Sequence, residues 1–452
     1  MFEKDFVWGV AAAAYQTEGA VKEDGRTSCI WDMYCRKEGA IYNGENADIA
    51  CDFYHRYKED IKLMKEMGVK AFRMSLSPVR ILPKEDGKVN RKGIDFYNSV
   101  IDELLKSGIT PFVTLFHWDL PLYVYRKGGF QSRYFAEWFE GYAKVVAREF
   151  SDRVKYFMTF NEPQCILGCY KGSGQAPGLD MSDEETVPMV HYLSLAHGKA
   201  VRAMRKYGCK DIKIGYAMQG LYYHPQADTP ENTQTARKMC FETDREKWWT
   251  SPSVFGDPIV LGKYPQFFVK KYGKYLPEKW QKDMSEICPP LDFFGQNYYN
   301  GQMVDVKGNI CKDKPGAWVN AEHWNISPEG IRYTLQFVQE RYKLPIYVTE
   351  NGMCCHDWVS LDGKVHDPQR IDYIERHLIE IYKAKKSGAD VRGYFCWSVM
   401  DNFEWTIGYR PRFGLIYVDF ETQERIYKDS ALWYKKVIET GGKNIHFCDD
   451  QV

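Results

Sequence analysis

Two glutamates occur in similar surroundings, each after a short apolar stretch and beside an asparagine. Glu350 lies in Ile346-Tyr-Val-Thr-Glu-Asn-Gly352, and Glu162 lies in Lys155-Tyr-Phe-Met-Thr-Phe-Asn-Glu-Pro163. The β-branched and aromatic residues favour buried strands, and Gly352 favours a turn directly after the first stretch. Each carboxyl is therefore expected where a strand opens into a loop, which is a costly place for an unpaired charge. A pair of such carboxyls is what hydrolysis of a glycosidic bond requires.

The elements that must hold these glutamates follow from the pattern of apolar runs. Eight runs are predicted to be strands, at residues 6–14, 69–75, 110–116, 155–162, 212–218, 291–299, 346–350 and 391–399. Segments of helical periodicity alternate with them, at residues 47–67, 93–107, 132–150, 188–207, 328–341, 367–387 and 429–439. This alternation predicts an α/β protein with a single (β/α)8 TIM barrel, one domain over residues 1–452 with a long insertion at 221–288. An open doubly wound sheet is the alternative, but its usual first-turn motif, G-x-G-x-x-G, does not occur in the sequence.

A barrel of this kind carries its active site at the carboxyl ends of its strands. In the sequence those ends hold carboxyl, amide, imidazole, guanidinium, phenol and indole groups, from Gln16, Arg73, His117, Trp118, Asn161, Glu162, Asn297, Tyr299, Glu350, Trp397, Glu404 and Trp405. Any one of them alone would more often be a packing, capping or ion-pair residue. Their shared position predicts a pocket for a neutral, polyhydroxylated ligand, because polar groups can meet hydroxyls while indole faces meet C–H surface.

Two pairs of chain neighbours set a geometrical condition on this pocket. Asn161 and Glu162 are adjacent, as are His117 and Trp118, and neighbours on a strand point to opposite faces. Both members of a pair can reach one pocket only if the strand ends or bulges at that point. Pro163 donates no ladder hydrogen bond, so the fourth strand is expected to end at Glu162.

The composition excludes several kinds of partner. Sixty-one basic residues balance sixty-one acidic ones, which gives no basic field for nucleic acid or for an anionic membrane. The thirteen cysteines show no C-x-x-C spacing, so neither a disulfide framework nor a zinc site is predicted, and a cytoplasmic location is expected. The first residues have no basic n-region of a signal peptide, and no apolar run approaches the length of a membrane span.

From its first to nearly its last residue, the chain resembles the family-one glycoside hydrolases of the β-glucosidase type. Thr159-Phe-Asn-Glu-Pro163 is similar to the family's acid/base motif, and Val348-Thr-Glu-Asn-Gly352 is similar to its nucleophile motif. The resemblance implies a retaining β-glycosidase that removes terminal non-reducing β-D-glucosyl residues from cello-oligosaccharides or from aryl or alkyl β-glucosides. It implies no metal or organic cofactor, and the partner is the small glycoside itself, bound by a monomer or a homo-oligomer.

The resemblance also implies a role for each residue of the predicted pocket. Glu350 would be the nucleophile and Glu162 the general acid/base. The groups that would support the nucleophile are Arg73, Asn297 and Tyr299. The residues that would bind the substrate are Gln16, His117, Trp118, Asn161, Trp324, Trp397, Glu404 and Trp405, with Trp324 as the platform under the leaving group. The charge of Glu350 would raise the pKa of Glu162 and keep it protonated in the resting enzyme.

Three alternative functions remain: hydrolysis of 6-phospho glycosides, transglycosylation and non-catalytic sugar binding. Relatives that act on 6-phospho sugars carry Ser, Lys and Tyr where this chain has Glu404, Pro411 and Phe413, and a carboxyl at position 404 would repel a phosphate. A transglycosidase would share every catalytic residue and would differ in how well its acceptor site excludes water. A non-catalytic sugar-binding barrel could lose one of the two carboxyls, whereas this chain has both.

The segments expected near the leaving group depart from the family's pattern. Residues 77–80 lack the usual Trp-Pro arrangement, and residues 129–133 lack the usual Trp. The segment 171–175 is expected close to the acid/base glutamate. The sequence therefore leaves open the choice of leaving group, and also the choice among glucoside, galactoside and fucoside.

Overall fold

A computed structural model of the protein describes residues 2–446. Eight parallel strands form a closed barrel in which each strand pairs with its neighbours in chain order and the last pairs with the first. The strands are β1 Val7–Ala11, β2 Ala71–Ser75, β3 Thr110–Phe116, β4 Tyr156–Asn161, β5 Lys213–Met218, β6 Phe294–Asn297, β7 Ile346–Asn351 and β8 Val391–Trp397. The predicted (β/α)8 barrel is confirmed, and each predicted strand overlaps one of these eight.

The strands are apolar on both faces because helices cover the outside and side chains fill the inside. The lower interior is packed with aromatic rings: Phe112 stacks on Tyr156 at 4.2 Å between centroids and meets Phe395 at 4.9 Å. Gly9 makes room for this filling, since a Cβ there would lie 2.4 Å from the ring of Phe395. The interior is thus a filled core, and the active site of such a barrel lies at its upper end.

Helices surround the barrel, and further short helices lie in its connecting loops. The long helices are Phe53–Glu66, Arg91–Lys106, Arg133–Phe150, Asp183–Tyr207, Pro328–Tyr342, Pro368–Lys386 and Asp429–Thr440. The shorter ones are Ala14–Thr17, Ile30–Tyr34, Pro78–Ile81, Leu122–Arg126, Pro163–Cys169, Pro230–Phe241, Pro252–Leu261, Gln266–Tyr272 and Met284–Ile287. None of the described helices is both long enough and apolar enough to cross a membrane.

The helix predicted at 47–67 begins only at Phe53. Ala50 and Asp52 both have a φ of 51°, which is the left-handed region and cannot continue a right-handed helix. Ile49, which looked like the first residue of the apolar stripe, is 61% exposed. The predicted helix began six residues too early because an isolated Ile matched the periodicity by spacing alone.

The helix predicted at 188–207 begins earlier, at Asp183. Ser182 and Glu185 form a reciprocal capping box, in which each side chain accepts a hydrogen bond from the other residue's backbone N–H. Pro188 therefore lies inside the helix rather than at its start. The prediction gave too much weight to proline as a helix starter and too little to the cap before it.

The insertion between β5 and β6 contains helical pieces, as predicted. Two small sheets escaped prediction: Tyr223–Pro225 pairs in parallel with Gln302–Val304, and Ile416–Val418 pairs antiparallel with Arg425–Tyr427. Each of these strands has three residues, which is too short for an alternating pattern to be recognised.

Candidate active site

The residues predicted for the pocket meet in one cleft at the carboxyl ends of the barrel strands. The cleft is lined by Gln16, His117, Trp118, Asn161, Glu162, Tyr299, Trp324, Glu350, Trp397, Glu404 and Trp405. Arg73 and Asn297 lie just behind this lining and hydrogen-bond to it. The structure therefore brings together every side chain that the sequence singled out.

Glu350 projects from the end of β7 and is only 3% exposed. Arg73, from β2, forms a buried ion pair with its Oε1. The hydroxyl of Tyr299 donates a hydrogen bond to its Oε2 at 2.7 Å. Burial and the charge of Glu350 raise the pKa of Tyr299 well above its usual value, so the phenol keeps the proton that it donates. A cation and a neutral donor thus both favour the ionised form of Glu350.

Glu162 reaches the same cleft because the backbone turns sharply at the end of β4. The strand ends at Asn161, and Glu162 has φ 44° and ψ 68°, in the left-handed region. Trp118 follows β3 in the same way, with a φ of 77°. These two turns let both members of the pairs Asn161–Glu162 and His117–Trp118 face one cleft. The geometrical condition derived from the sequence is therefore met. The strand ends one residue earlier than predicted.

A chain of hydrogen bonds joins the two glutamates through amides. Arg73 donates to Asn161 Oδ1 at 2.6 Å as well as to Glu350. Asn297 Nδ2 donates to Asn161 Oδ1 at 3.0 Å and to Glu162 Oε1 at 2.7 Å. Asn297 was expected to support Glu350, but its side-chain contact is with Glu162, and the expected role stays a prediction.

The two carboxyls differ in their surroundings, and so in their affinity for protons. Burial, and next the negative charge of Glu350, raise the pKa of Glu162 to about 7. The hydrogen bond from Asn297 and the charge of Arg73 oppose this rise without cancelling it. Glu162 is therefore protonated over most of the acidic range, and the Glu350 carboxyl pairs with Arg73. The cleft thus holds a proton donor and a second carboxyl group.

The side of the cleft next to β1 and β8 presents groups for hydroxyls. Gln16 Nε2 donates to Asn402 Oδ1 at 2.9 Å, to the carbonyl of Phe403 at 3.0 Å and to Glu404 Oε2 at 3.2 Å. Its Oε1 is buried without a partner among the described residues. A ligand hydroxyl would satisfy that acceptor. Loss of water contact and the charge of Glu350 raise the pKa of Glu404 to about 8, so its carboxyl can donate as well as accept.

His117 is neutral in this site. Burial and the charge of Arg73 hold its pKa well below the usual range. Asn161 Nδ2 lies 3.1 Å from His117 Nε2, and an amide nitrogen can only donate, so Nε2 is the acceptor and Nδ1 carries the proton. A neutral imidazole adds no charge to the cleft, which agrees with the expectation of an uncharged ligand.

Aromatic rings form the remaining walls. Trp397 and His117 lie in near-parallel planes with 5.9 Å between centroids, and Trp405 packs against Trp118 at 4.7 Å. Trp324 is 36% exposed at the mouth and contacts Tyr299. Indole faces of this kind match the C–H faces of a pyranose ring.

Some functional residues were missed. Thr349 Oγ1 donates to Asn297 Oδ1 at 2.6 Å and so turns the Asn297 amide nitrogen towards Glu162. Additional side chains lining the cleft are those of Cys165, Gln175, Gln219, Ile407 and Phe413. The position of Thr349 next to Glu350 and that of Gln219 directly after the predicted strand 212–218 were usable signals, and Gln175 lies in the segment 171–175 that was expected close to the acid/base glutamate.

Comparison with known proteins agrees with this geometry. The sequence model described as Glycosyl hydrolase family 1 matches residues 1–443. Beta-glucosidase A of Thermotoga maritima is 43% identical over 98% of both chains, and a 1,4-beta-D-glucan glucohydrolase of Thermotoga neapolitana is 42% identical over 98% of this chain and 99% of its own.

A solved structure shows the same fold. The structure of the Thermotoga maritima beta-glucosidase in complex with deoxynojirimycin has a TM-score of 0.90 and 42% identity, covering 98% of this chain and 99% of that one. Sequence and fold therefore agree over nearly the whole length, and the chain belongs to glycosyl hydrolase family 1, the retaining β-glycosidases, as an enzyme of the β-glucosidase type.

Proposed function

We propose that the protein hydrolyses terminal non-reducing β-D-glucosyl residues of cello-oligosaccharides and of aryl or alkyl β-glucosides by double displacement. One observation carries this proposal: Glu350, paired with Arg73 and Tyr299, shares a cleft with Glu162, whose pKa is raised to about 7. The names of the Thermotoga relatives, a beta-glucosidase and a 1,4-beta-D-glucan glucohydrolase, support the choice of glucosyl substrates.

In the first step Glu350 attacks the anomeric carbon while Glu162 gives its proton to the departing oxygen. The C–O bond to the leaving group breaks, and an ester forms between Glu350 and the sugar. Arg73 and Tyr299 hold the carboxylate in place until the bond forms. Burial of Glu162 beside an ionised Glu350 keeps the required proton available.

In the second step the roles of the glutamates reverse. Once the ester has formed, Glu350 is neutral, and the charge that raised the pKa of Glu162 is gone. Glu162, which gave up its proton in the first step, then stays ionised and accepts a proton from water. The water oxygen bonds to the anomeric carbon, the ester bond to Glu350 breaks, and the sugar leaves with its β configuration retained. Asn161, held by Arg73 and Asn297, would bind the 2-hydroxyl.

We assign the glycosyl group to the inner end of the cleft. Its hydroxyls would be bound by Gln16, His117, Asn161 and Glu404, and its ring would pack between Trp118, Trp397 and Trp405. The unpartnered Gln16 Oε1 supports this assignment. The sugar mimic deoxynojirimycin, present in the structure of the Thermotoga maritima relative, would occupy the same place here.

The alternatives differ in what the cleft would have to accept. A 6-phospho sugar would bring its phosphate to the region lined by Glu404 and Phe413, a carboxyl and a phenyl ring that cannot neutralise it. A sugar-binding barrel without catalytic activity would not require two glutamates of which one, Glu350, raises the pKa of the other, Glu162. Transfer to an alcohol would use the same covalent intermediate and could accompany hydrolysis.

A panel of 4-nitrophenyl β-glycosides, assayed with and without an alcohol acceptor, tests the function. We expect turnover of the glucoside, and an alkyl glucoside as a second product if transfer occurs. The matched control is Glu350→Gly, which should lose at least about 10⁴-fold in kcat. Added azide should restore release of nitrophenol and yield the α-glucosyl azide, since azide enters where the carboxylate was. Unchanged turnover by this variant would refute the nucleophile assignment.

Two further proposals concern the whole chain. We infer that residues 1–452 form one catalytic domain, of which residue 1 and residues 447–452 lie outside the described part. We also infer a cytoplasmic location, supported by the twelve described cysteines, all of which are free thiols.

A further inference from the structure

The cleft has a distinct side where the leaving group must lie. Glu162 protonates the departing oxygen, so groups beside Glu162 and outward from it face the leaving group. Two glutamines line the cleft there, Gln219 just after β5 and Gln175 in the loop that follows the helix Pro163–Cys169. The backbone N–H of Glu162 bonds to the carbonyl of Ala217, which places the end of β5 directly beside the acid.

The amide oxygen of Gln219 faces donors of the protein. Its Oε1 accepts a hydrogen bond from Gln164 Nε2 at 3.4 Å and one from the thiol of Cys165 at 3.7 Å. Its amide nitrogen has no partner among the described residues, and the side chain is half-buried in the cleft wall. The oxygen is therefore directed to the protein, and two N–H donors remain for a ligand.

Gln175 shows the same arrangement. Its Oε1 accepts a hydrogen bond from the thiol of Cys169 at 3.9 Å, and its amide nitrogen also lacks a partner within the described chain. The loop that carries it is anchored by Tyr34, whose hydroxyl donates to the carbonyl of Gly174 at 2.8 Å, and by Lys171, which pairs with Asp183 at 2.9 Å. The backbone next to Gln175 is thus anchored before a ligand arrives.

The opposite wall of the mouth is apolar. Trp324, Ile407 and Phe413 line it, and the rings of Trp324 and Phe413 lie 6.2 Å apart. A flat ligand with one C–H face and a rim of oxygen atoms would fit between this wall and the two amides. An aryl group would use the apolar wall and leave both amides without partners.

We propose that Gln175 and Gln219 are specificity-determining residues that select a hydroxylated leaving group, namely a second sugar unit, over an aryl or alkyl one. Their four N–H donors bind oxygen atoms of the leaving sugar, while its C–H face packs on Trp324. This inference rests on the proposed β-glucosidase function and deepens it. The helix Pro163–Cys169 that follows the acid/base glutamate supplies the donors that orient both amides.

The test compares two substrates that share one glycosyl group. Cellobiose and 4-nitrophenyl β-glucoside are assayed with Gln175→Met, Gln219→Met and the double variant, since methionine keeps the chain length and removes the amide. We expect kcat/KM for cellobiose, divided by that for the nitrophenyl glucoside, to fall about fivefold in each single variant and about twentyfold in the double variant. The loss should appear mainly in KM for cellobiose.

Gln266→Met, at an exposed position in the helix Gln266–Tyr272, is the matched control and should leave the ratio unchanged. An unchanged ratio in the double variant, or an equal loss on both substrates, would overturn the role of the glutamines while leaving the glucosidase function intact. Failure of the unmodified enzyme to cleave either substrate would overturn that function, and this proposal with it.

Discussion

Glu162 and Glu350 carry the same side chain, and their partners give them different chemistry. Glu350 has a guanidinium and a phenol as donors, whereas Glu162 has an amide and deep burial. The first environment stabilises a carboxylate and the second favours the neutral acid. The division of roles therefore follows from residues behind the cleft as much as from the glutamates.

The raised pKa of Glu162 predicts the alkaline limit of activity. The first step needs its proton, so kcat/KM should fall as pH rises through about 7, tenfold for each further pH unit. In Glu350→Gln the neighbouring charge is removed, and the pKa of Glu162 should drop, though burial keeps it above the ordinary value of a glutamate. Titration of the Glu162 carboxyl by ¹³C NMR in both proteins measures this. The same pKa in the two proteins would contradict the coupling.

Sequence reasoning found most site residues at this scale because they are reactive types at strand ends. It could not give their orientation. The left-handed backbone at Glu162 and at Trp118 decides which way each pair points, and neither residue is a type that favours that conformation. Gln219 was missed although it directly follows the predicted strand 212–218. The segment of Gln175 was expected near the acid/base glutamate, but the orientation of its amide depends on partners that only the structure shows.

At the scale of elements, the strands and most of the helix starts were predictable, whereas the starts at Phe53 and Asp183 were not. Each strand is buried on both faces, so its apolar run is continuous and its position is clear. The helix starts depend on backbone features such as the left-handed Asp52, or on a cap such as Ser182, which periodicity does not report. The polar contacts between strand ends also could not be predicted, because they join residues that are far apart in the sequence.

One such connection is a buried ionic cluster that joins the loops after β7 and β8. Lys428, just before the last helix, pairs at 2.6 Å with Asp357 in the loop after β7 and at 2.6 Å with Asp401 in the loop after β8. Arg412 pairs with Asp401 at 2.7 Å, and Arg370 pairs with Asp357 at 2.6 Å. The cluster holds together the loops that follow the strand of Glu350 and the strand of Trp397.

We predict that Lys428→Met destabilises the protein by about 3 kcal/mol, because it leaves two buried carboxylates short of a partner. Lys428 is fully buried, so water cannot replace the lost ammonium. Denaturant unfolding measures the change, with exposed Lys436→Met as a control that should stay within about 0.5 kcal/mol of the parent. Equal stability of the two variants would show that the ionic cluster does not stabilise the folded protein.

At the scale of the whole molecule, the active site exists only when the barrel is closed. Arg73 on β2 meets Glu350 on β7 across 277 positions of the chain, and Gln16 meets Asn402 across 386. No segment between two neighbouring strands contains both glutamates and their partners. Binding of a sugar mimic in the cleft is therefore linked to the folding of every strand rather than to one part of the chain.

This linkage predicts a single thermal unfolding transition, and its midpoint should rise as a whole when a ligand binds. Deoxynojirimycin at about 100 times its Kd should stabilise the folded state by about 2.7 kcal/mol and raise Tm by about 3 °C for a chain of this length. Scanning calorimetry with and without the ligand measures the shift, and the same concentration of open-chain sorbitol should give none. The Glu350→Gly variant should respond less, because the carboxylate that would pair with the ligand's ammonium is missing. Two transitions, of which only one moved with the ligand, would show that residues 1–452 do not fold as one domain.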